Sequence, residues 1–235
     1  MKTTRLQGKW ALITGSSRGI GQQIALGLAQ CGCNIVVHGR TVEHAQKTLA
    51  LLRAYPVKTA VVAGELGEQR EVERLCQQVS EQVGGVDVLY NNAAIIGKYQ
   101  PVWTTPLDEW LTLFRINVFS LVTTCAFFAL KMRDNGFGRI INLSSGIKDQ
   151  ASLAPYSASK AAVDKFTRDL AAELKGTNVL VNCLDPGWLK TDLGSSAAPN
   201  EVDTVLPGAL VPALLEDHGP SGHYYAAQDF KDLSL

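Results

Sequence analysis

The chain has 235 residues, of which 46% are hydrophobic and 19% charged, and its 22 basic and 22 acidic side chains give a formal net charge of zero. This balance, with no run of like charges, disfavours nucleic acid and anionic membranes as partners. The first residues form no apolar leader and the longest apolar stretches fall short of a membrane span. We therefore expect a cytoplasmic protein with one domain over residues 1–235.

Short apolar runs alternate along the chain with longer stretches of helical periodicity. The near-continuous runs predict strands buried on both faces, over residues 9–14, 34–38, 58–63, 86–90, 138–144, 178–183 and 223–226. The stretches between them predict helices over residues 19–31, 41–54, 68–83, 108–134 and 154–175. This alternation predicts an α/β fold: a single-domain, Rossmann-type, doubly wound parallel sheet of about seven strands with helices on both faces.

A ligand crevice in such a fold lies at the carboxyl ends of the strands. The segment 192–215, rich in Ser, Ala, Pro and Gly, has the composition of a flexible lid over that crevice. The five cysteines form no CxxC pair and the four histidines no HExxH motif. We therefore expect reduced, buried thiols and no metal ion.

The first predicted strand runs into the glycine-rich turn TGSSRGIG, residues 14–21, and then into a helix. Gly15, Gly19 and Gly21 would let the backbone approach a pyrophosphate, which the amides at the start of that helix would attract. The turn therefore predicts dinucleotide binding, against the alternative of an ordinary connection between strand and helix.

The end of the second strand, VVHGRT, bears on which dinucleotide is bound. An acid there would bind the adenosine ribose of NAD, but this sequence has His38, Gly39 and Arg40 instead. Arg40 and Arg18 are placed to bind a 2′-phosphate, which predicts NADP(H), with NAD(H) less favoured. The alternative is that Arg40 only caps a loop facing solvent.

Tyr156 and Lys160 stand four residues apart in YSASK, so one helical face would present a phenol and an ammonium together. A free phenol has a pKa of about 10, and a nearby ammonium, together with the positive charge of an oxidised nicotinamide, would bring that pKa closer to neutrality. The pair is either an exposed surface pair or the acid and base of an active site.

Six motifs together resemble the classical short-chain dehydrogenase/reductase family over nearly the whole chain. They are TGSSRGIG (14–21), NNAA (91–94), Asn117, LSSG (143–146), YSASK (156–160) and PGWLKT (186–191). The resemblance implies an enzyme in which Tyr156 is the general acid and base, Lys160 tunes it and binds the nicotinamide ribose, and Ser145 holds the substrate oxygen. It also implies that Asn117 holds a water linked to Lys160, the alternative being an amide in the helix interior that bonds to backbone.

By the same resemblance, the NADP(H) site would comprise Gly15, Ser17, Arg18, Gly19, Ile20, Gly21, Arg40, Glu65, Leu66, Asn91, Ala93, Tyr156, Lys160, Pro186, Gly187, Leu189 and Thr191. The sequence departs from the family pattern at Ala94, where glycine is usual, and at Glu65, where aspartate is common. The loop 146–155 is also about two residues shorter than in many members.

The expected substrate wall is mostly apolar and consists of Ile95, Ile96, Gly146, Ile147, Trp188 and the lid. These features predict an NADP(H)-dependent oxidoreductase that interconverts a neutral or apolar ketone or aldehyde and its alcohol. The alternatives are a 3-oxoacyl-thioester reductase of the same family and a regulatory protein that binds NADP(H) without catalysis. The apolar helices over 108–134 and 154–175 predict a homodimer or homotetramer.

Overall fold

The computed structural model describes residues 3–234 and contains a seven-stranded sheet in which all neighbouring strands are parallel. Along the chain the strands are β1 (Trp10–Ile13), β2 (Asn34–Gly39), β3 (Thr59–Ala63), β4 (Val88–Asn91), β5 (Gly138–Leu143), β6 (Val179–Asp185) and β7 (Tyr224–Ala226). Their order across the sheet is β3-β2-β1-β4-β5-β6-β7. The predicted Rossmann-type fold is thus confirmed.

Within residues 3–234, six α-helices cover the two faces of the sheet. They are α1 (Gly19–Gln30), α2 (Val42–Leu52), α3 (Gln69–Val83), α4 (Leu107–Phe114), α5 (Ser120–Asp134) and α6 (Ala154–Glu173). Helices α1 and α2 pack with one face of the sheet in one core, whereas α3, α5 and α6 pack with the other face in a second core. Every residue of β2 and β5 is buried, which explains their continuous apolar sequences.

The strand order reverses between β1 and β4, which are neighbours in the sheet although two strands separate them in sequence. The crossover connections leave β1 and β4 in opposite directions, so a crevice opens at their carboxyl ends. The glycine turn after β1 and the NNAA segment after β4 meet there. This reversal sets the position of the functional site.

The predicted helix over 108–134 is interrupted. A turn of π-helix, Arg115–Phe119, separates α4 from α5 and contains Asn117. The whole stretch Leu107–Asp134 is 28 residues long and apolar enough to span a membrane by length and composition, which corrects the expectation that no stretch reaches that length. Half of its most apolar window is buried, with α5 packed against α3 and β5.

The segment 192–215 divides into two parts. Its second half contains the 3-10 helices Val202–Val205 and Gly208–Ala213, and residues 208–215 are all buried. The buried Tyr90 hydroxyl of β4 donates a hydrogen bond to the Ala209 carbonyl, 2.7 Å away. Because residues 208–215 belong to the core, a movable lid, which stays a prediction, is confined to the part before them.

All five cysteines are free and buried, as expected. Within the residues that the structure describes, no group of three or more His, Cys, Asp or Glu side chains could hold a metal ion.

Candidate active site

The glycine turn between β1 and α1 is shaped for close backbone approach. Gly15 has a φ of +66°, in the left-handed region that favours glycine. A Cβ atom on Gly21 would lie 2.6 Å from both the Gly15 carbonyl oxygen and the Asn92 side-chain nitrogen, so no other residue fits there. No side chain caps the start of α1, which leaves its first amides available to an anion.

His38, near the end of β2, is hydrogen-bonded to the glycine turn. Its Nδ1 accepts a hydrogen bond from the Gly15 amide (2.9 Å), so the ring proton is on Nε2, which faces the Gly64 carbonyl oxygen at 3.1 Å. The side chain is 2% exposed, and burial lowers the pKa of His38 to about 4. A neutral imidazole therefore joins the first turn to the end of β3. From sequence, His38 is notable only as a residue that is not an acid.

One open cleft brings together most of the predicted cofactor residues. The predicted residues that line it are Gly15, Ser17, Arg18, Gly19, Ile20, Gly21, Arg40, Glu65, Leu66, Ala93 and Thr191. Others were not predicted: His38, Gly39, His44, Lys47, Asn92, Lys190 and Asp192. Lys47 and His44 lie on α2, the helix that follows Arg40, so a search for basic side chains in the first turns of that helix would have found them.

Basic side chains line the cleft together with the acids Glu65, which follows β3, and Asp192. Arg40, Lys47 and Arg18 are three of these basic side chains, and β2 ends without a carboxylate. Arg18 forms an exposed ion pair with Asp192, Nε to Oδ2 at 2.6 Å, and so bridges the glycine turn to the start of the predicted lid. The cations suit a phosphate, and Asp192 competes for one of them.

The two neighbouring asparagines after β4 face different ways. The Asn91 amide is buried in a network behind the sheet, where it donates to Asn142 Oδ1 (2.9 Å) and accepts from the Thr124 hydroxyl (2.7 Å). Asn92 lines the cleft, and its amide donates to the Thr14 carbonyl oxygen at 2.8 Å. The structure thus places Asn91 as a support for the sheet, and its contact with a cofactor stays a prediction.

Tyr156 and Lys160 lie on the first two turns of α6, next to Ser145 at the end of β5. Both are nearly buried, 7% and 5% exposed, which excludes the exposed surface pair. Lys160 Nζ lies 5.8 Å from the centroid of the Tyr156 ring and donates to the Leu143 carbonyl oxygen at 2.7 Å. Pro155 in the first turn needs no amide partner and so starts the helix at this point.

Burial dominates the electrostatics of this pair. It raises the pKa of Tyr156 above its usual value of 10.0, although a hydrogen bond with Ser145 lowers that pKa in part. In the protein without cofactor, the pKa of Tyr156 is therefore not lowered towards neutrality as expected. Desolvation of the phenolate outweighs the contacts that favour it. Burial also lowers the pKa of Lys160 to about 8, against the opposing charge of Asp164 one turn further along α6.

Asn117 in the π-helical turn fixes the chain after NNAA. Its Oδ1 accepts from the Ile95 amide and its Nδ2 donates to the Ile95 carbonyl oxygen, both at 2.9 Å. Nδ2 also donates to the Ser159 hydroxyl of α6 at 3.0 Å. Both amide hydrogens are used, so the structure shows Asn117 as a clamp between two segments. The water contact expected of this residue stays a prediction.

The segment after β6 forms the other wall of the cleft. Gly187 has a φ of +84°, and a Cβ there would lie 2.7 Å from Gln228 Cγ. Leu189 is buried, Thr191 lines the cleft, and the exposed Trp188 donates from Nε1 to the Gly194 carbonyl oxygen at 2.6 Å. Contacts of Pro186, Gly187 and Leu189 with a cofactor stay predictions.

A Rossmann-type sheet with a glycine turn at its switch point and a buried Tyr–Lys pair beside a serine is the arrangement of a nucleotide-dependent oxidoreductase. The sequence model described as short chain dehydrogenase matches residues 9–202, and the chain belongs to this family. The resemblance seen in the motifs is confirmed.

Several relatives cover most of the chain. A short-chain type dehydrogenase/reductase of Picea abies is 33% identical over 198 residues, 80% of this chain and 73% of its own length. A 3-oxoacyl-(acyl-carrier-protein) reductase of Aquifex aeolicus is 34% identical over 192 residues, 80% of this chain and 77% of its own. The crystal structure of a gluconate 5-dehydrogenase from Burkholderia cenocepacia, in complex with NADP and tartrate, has a TM-score of 0.82 at 27% identity, covering 100% of this chain and 99% of that one.

Members of the family use nicotinamide dinucleotides, and the residues present fit such a cofactor. Gly21 leaves free the space that a side chain would fill beside the turn, and the uncapped start of α1 suits a pyrophosphate. Tyr156, Lys160 and Ser145 lie at the same edge of the sheet, where they can face the reacting end of the cofactor.

Proposed function

We propose that the protein is an NADP(H)-dependent reductase that interconverts a ketone or aldehyde and its alcohol. The observation that carries the proposal is the buried Tyr156–Lys160 pair beside Ser145, at the same edge of the sheet as a glycine turn flanked by cations. We include in the proposal a single domain, a cytoplasmic location and a lid formed by residues just after Thr191.

Each side chain of the catalytic group has a distinct role in this reaction. When bound, NADPH supplies a hydride to the carbonyl carbon. Tyr156 donates its phenolic proton to the carbonyl oxygen, and the Ser145 hydroxyl hydrogen-bonds that oxygen and orients it. Lys160, held by the Leu143 carbonyl, stabilises the phenolate that Tyr156 leaves behind and binds the nicotinamide ribose. Asn117 keeps the chain after β4 in place against α6.

The preference for NADP(H) rests on charge. Arg40, Arg18 and Lys47 line the end of the cleft where the adenosine 2′-phosphate would bind, and β2 offers no carboxylate to a free ribose. The Burkholderia neighbour carries NADP in the corresponding fold. Charge-assisted hydrogen bonds of this kind contribute about 1.5–3 kcal/mol each, so losing Arg40 should matter much more for NADPH than for NADH.

Two alternative functions are compatible with the same site. The similarity to the Aquifex enzyme supports a 3-oxoacyl-thioester reductase, whose substrate carries a neutral ketone. A regulatory protein that only binds NADP(H) would have no use for a desolvated lysine under a buried phenol, which are costly to keep.

We also propose a homodimer or homotetramer. Large apolar side chains remain exposed along the 107–134 helical stretch, among them Leu107 (70% exposed), Phe119 (52%) and Leu130 (53%). A second copy of the chain would cover them. Sedimentation analysis tests this, and a monomer at micromolar concentration would contradict it.

The test of the enzymatic proposal follows NADPH and NADH oxidation by absorbance over a panel of ketones, aldehydes and 3-oxoacyl thioesters. Tyr156→Phe should lower kcat by about 10²–10⁴-fold, the usual contribution of a positioned acid, and leave NADPH binding within a few-fold of the original. Arg40→Ala should raise the KM for NADPH about tenfold or more and spare that for NADH. Arg53→Ala, at the exposed end of α2, is the matched control and should change neither. Full activity of Tyr156→Phe, or a preference for NADH, would refute the corresponding part.

A further inference from the structure

A carboxylate lies beside Ser145, next to the proposed catalytic residues. Asp185 ends β6, and its side chain lies against Gly146, the residue that follows Ser145. A Cβ atom on Gly146 would lie 2.5 Å from Asp185 Oδ2 and 3.8 Å from the Tyr224 hydroxyl. The wall expected to be apolar from sequence therefore contains an acid and a phenol at the side of Ser145.

Neutral groups hold this carboxylate in place. Asp185 Oδ1 accepts a hydrogen bond from the Gly187 amide at 2.9 Å. Burial raises the pKa of Tyr224, and so do the charge of Asp185 and a hydrogen bond with that carboxylate, in which the phenol is the donor because a carboxylate can only accept. Within the part of the chain that the structure describes, no ion pair includes Asp185. Neutral donors thus orient the carboxylate, and Lys160 is a cation within its electrostatic reach.

The field of Asp185 reaches the reacting groups. Besides burial, the charges that raise the pKa of Tyr156 are those of Asp185 from β6 and Tyr99 from the loop after β4. On α6, Lys160 responds to Asp164 and Asp185, which both favour its charged form. A substrate oxygen bound between Ser145 and Tyr156 would therefore lie within reach of the same negative charge.

We propose that Asp185 is a specificity-determining residue of the substrate cleft. Its carboxylate repels a substrate that carries a negative charge next to the reacting carbonyl, and accepts a hydrogen bond from a neutral substrate that carries a hydroxyl or amide donor there. This inference rests on the proposed reductase function and narrows its substrate class: neutral hydroxyketones, ketoamides and ketoesters are substrates, whereas keto acids and sugar acids are poor ones.

The test uses two ketones of the same shape that differ in charge, acetoacetamide and acetoacetate. The full chain with NADPH should show a kcat/KM at least about tenfold higher for the amide, a factor that corresponds to one ordinary charge interaction in a partly solvated site. Asp185→Asn keeps an oxygen for the Gly187 amide and should reduce this ratio about tenfold. Asp169→Asn, an exposed acid on the same helix as Tyr156, should leave the ratio unchanged.

Two further measurements separate charge from structure. Tyr224→Phe removes the donor but keeps the carboxylate, so it should retain the preference for the amide; loss of that preference would show a structural role and overturn the proposal. Asp185→Asn should also lower the apparent pKa in the pH profile of alcohol oxidation, because the charge that raises the pKa of Tyr156 is gone. An unchanged profile together with an unchanged ratio would overturn the proposal.

A failure of the proposed function is distinguishable from a failure of this inference. Binding of each ketone to the NADPH complex of Tyr156→Phe, followed by cofactor fluorescence, needs no turnover. If no ketone or aldehyde oxidises NADPH but the amide binds more tightly than the acid, and Asp185→Asn removes the difference, the reductase proposal fails and the role of Asp185 in selecting neutral ligands stands. If turnover occurs with equal ratios in both proteins, only the inference fails.

Discussion

Acid should destabilise this protein through a single buried imidazole. His38 is 2% exposed and its pKa is lowered to about 4 from an ordinary 6.5, because both ring nitrogens are desolvated between the Gly15 amide and the Gly64 carbonyl. The unfolded chain takes up a proton on this histidine below pH 6.5, whereas the folded protein does so only near pH 4. Stability is therefore fully present above pH 6.5 and is lost as the pH falls towards 4.

The size of the effect follows from the two pKa values. With 6.5 for the unfolded chain and about 4 for the folded protein, linkage gives a loss of about 1 kcal/mol at pH 6, about 2 kcal/mol at pH 5 and about 3 kcal/mol at pH 4. Such a loss is a large part of the total stability of a domain.

The assay is urea unfolding followed by circular dichroism between pH 4 and pH 7. His38→Asn keeps an acceptor for the Gly15 amide and has no titrating ring, so its free energy of unfolding should fall by about 3 kcal/mol less than that of the original chain over this range. His223→Gln replaces an exposed histidine and should follow the original chain at every pH. If the His38→Asn and original curves are parallel, His38 does not carry the acid sensitivity and the argument is wrong.

Three further changes test the cofactor side of the cleft and the clamp beside it. Asp192→Asn should lower the Kd for NADPH, measured by fluorescence titration, about threefold, because it frees Arg18 from its ion pair. The melting temperature should not change, since an exposed pair contributes little stability. Weaker binding would show that Asp192 itself helps to bind the cofactor. Gly21→Ala should weaken NADPH binding at least about tenfold, since its methyl group would have to displace the turn, whereas Gly67→Ala, with only ordinary contacts, should bind normally. Asn117→Ala should cost about 2 kcal/mol in urea unfolding, because the half-buried amide and carbonyl of Ile95 lose their partners. A cost near zero would contradict the clamp.

The sheet, the glycine turn and the Tyr–Lys pair could be predicted because each is encoded locally. Apolar runs a few residues long identify strands that are buried on both faces, and a spacing of four places Tyr156 and Lys160 on one helical face. The cleft follows from the order of the strands, which the alternation of strands and helices restricts to very few arrangements. These features need no knowledge of which distant residues meet.

Other features depend on contacts between distant residues and were missed. The position of residues 208–215 depends on Tyr90, 119 residues from Ala209. A composition rich in small residues and proline suggested mobility for that segment, yet small residues also pack closely under a sheet. The π-helical turn at Asn117 likewise serves a contact with Ile95 that periodicity does not encode.

The largest difference between the sequence-based prediction and the structure is the direction in which the pKa of Tyr156 is shifted. This direction decides which form of Tyr156 is present at neutral pH. Spacing alone suggested that a neighbouring ammonium lowers the pKa of the phenol, but burial and the charge of Asp185 raise it. Tyr156 therefore keeps its proton at neutral pH, which is the state that a general acid needs in order to protonate a carbonyl oxygen. Lys160, with its pKa lowered to about 8, remains mostly charged there and can stabilise the phenolate once the proton has left. For alcohol oxidation Tyr156 must instead be a phenolate, which needs a further positive charge besides Lys160 to stabilise it. An oxidised nicotinamide carries such a charge.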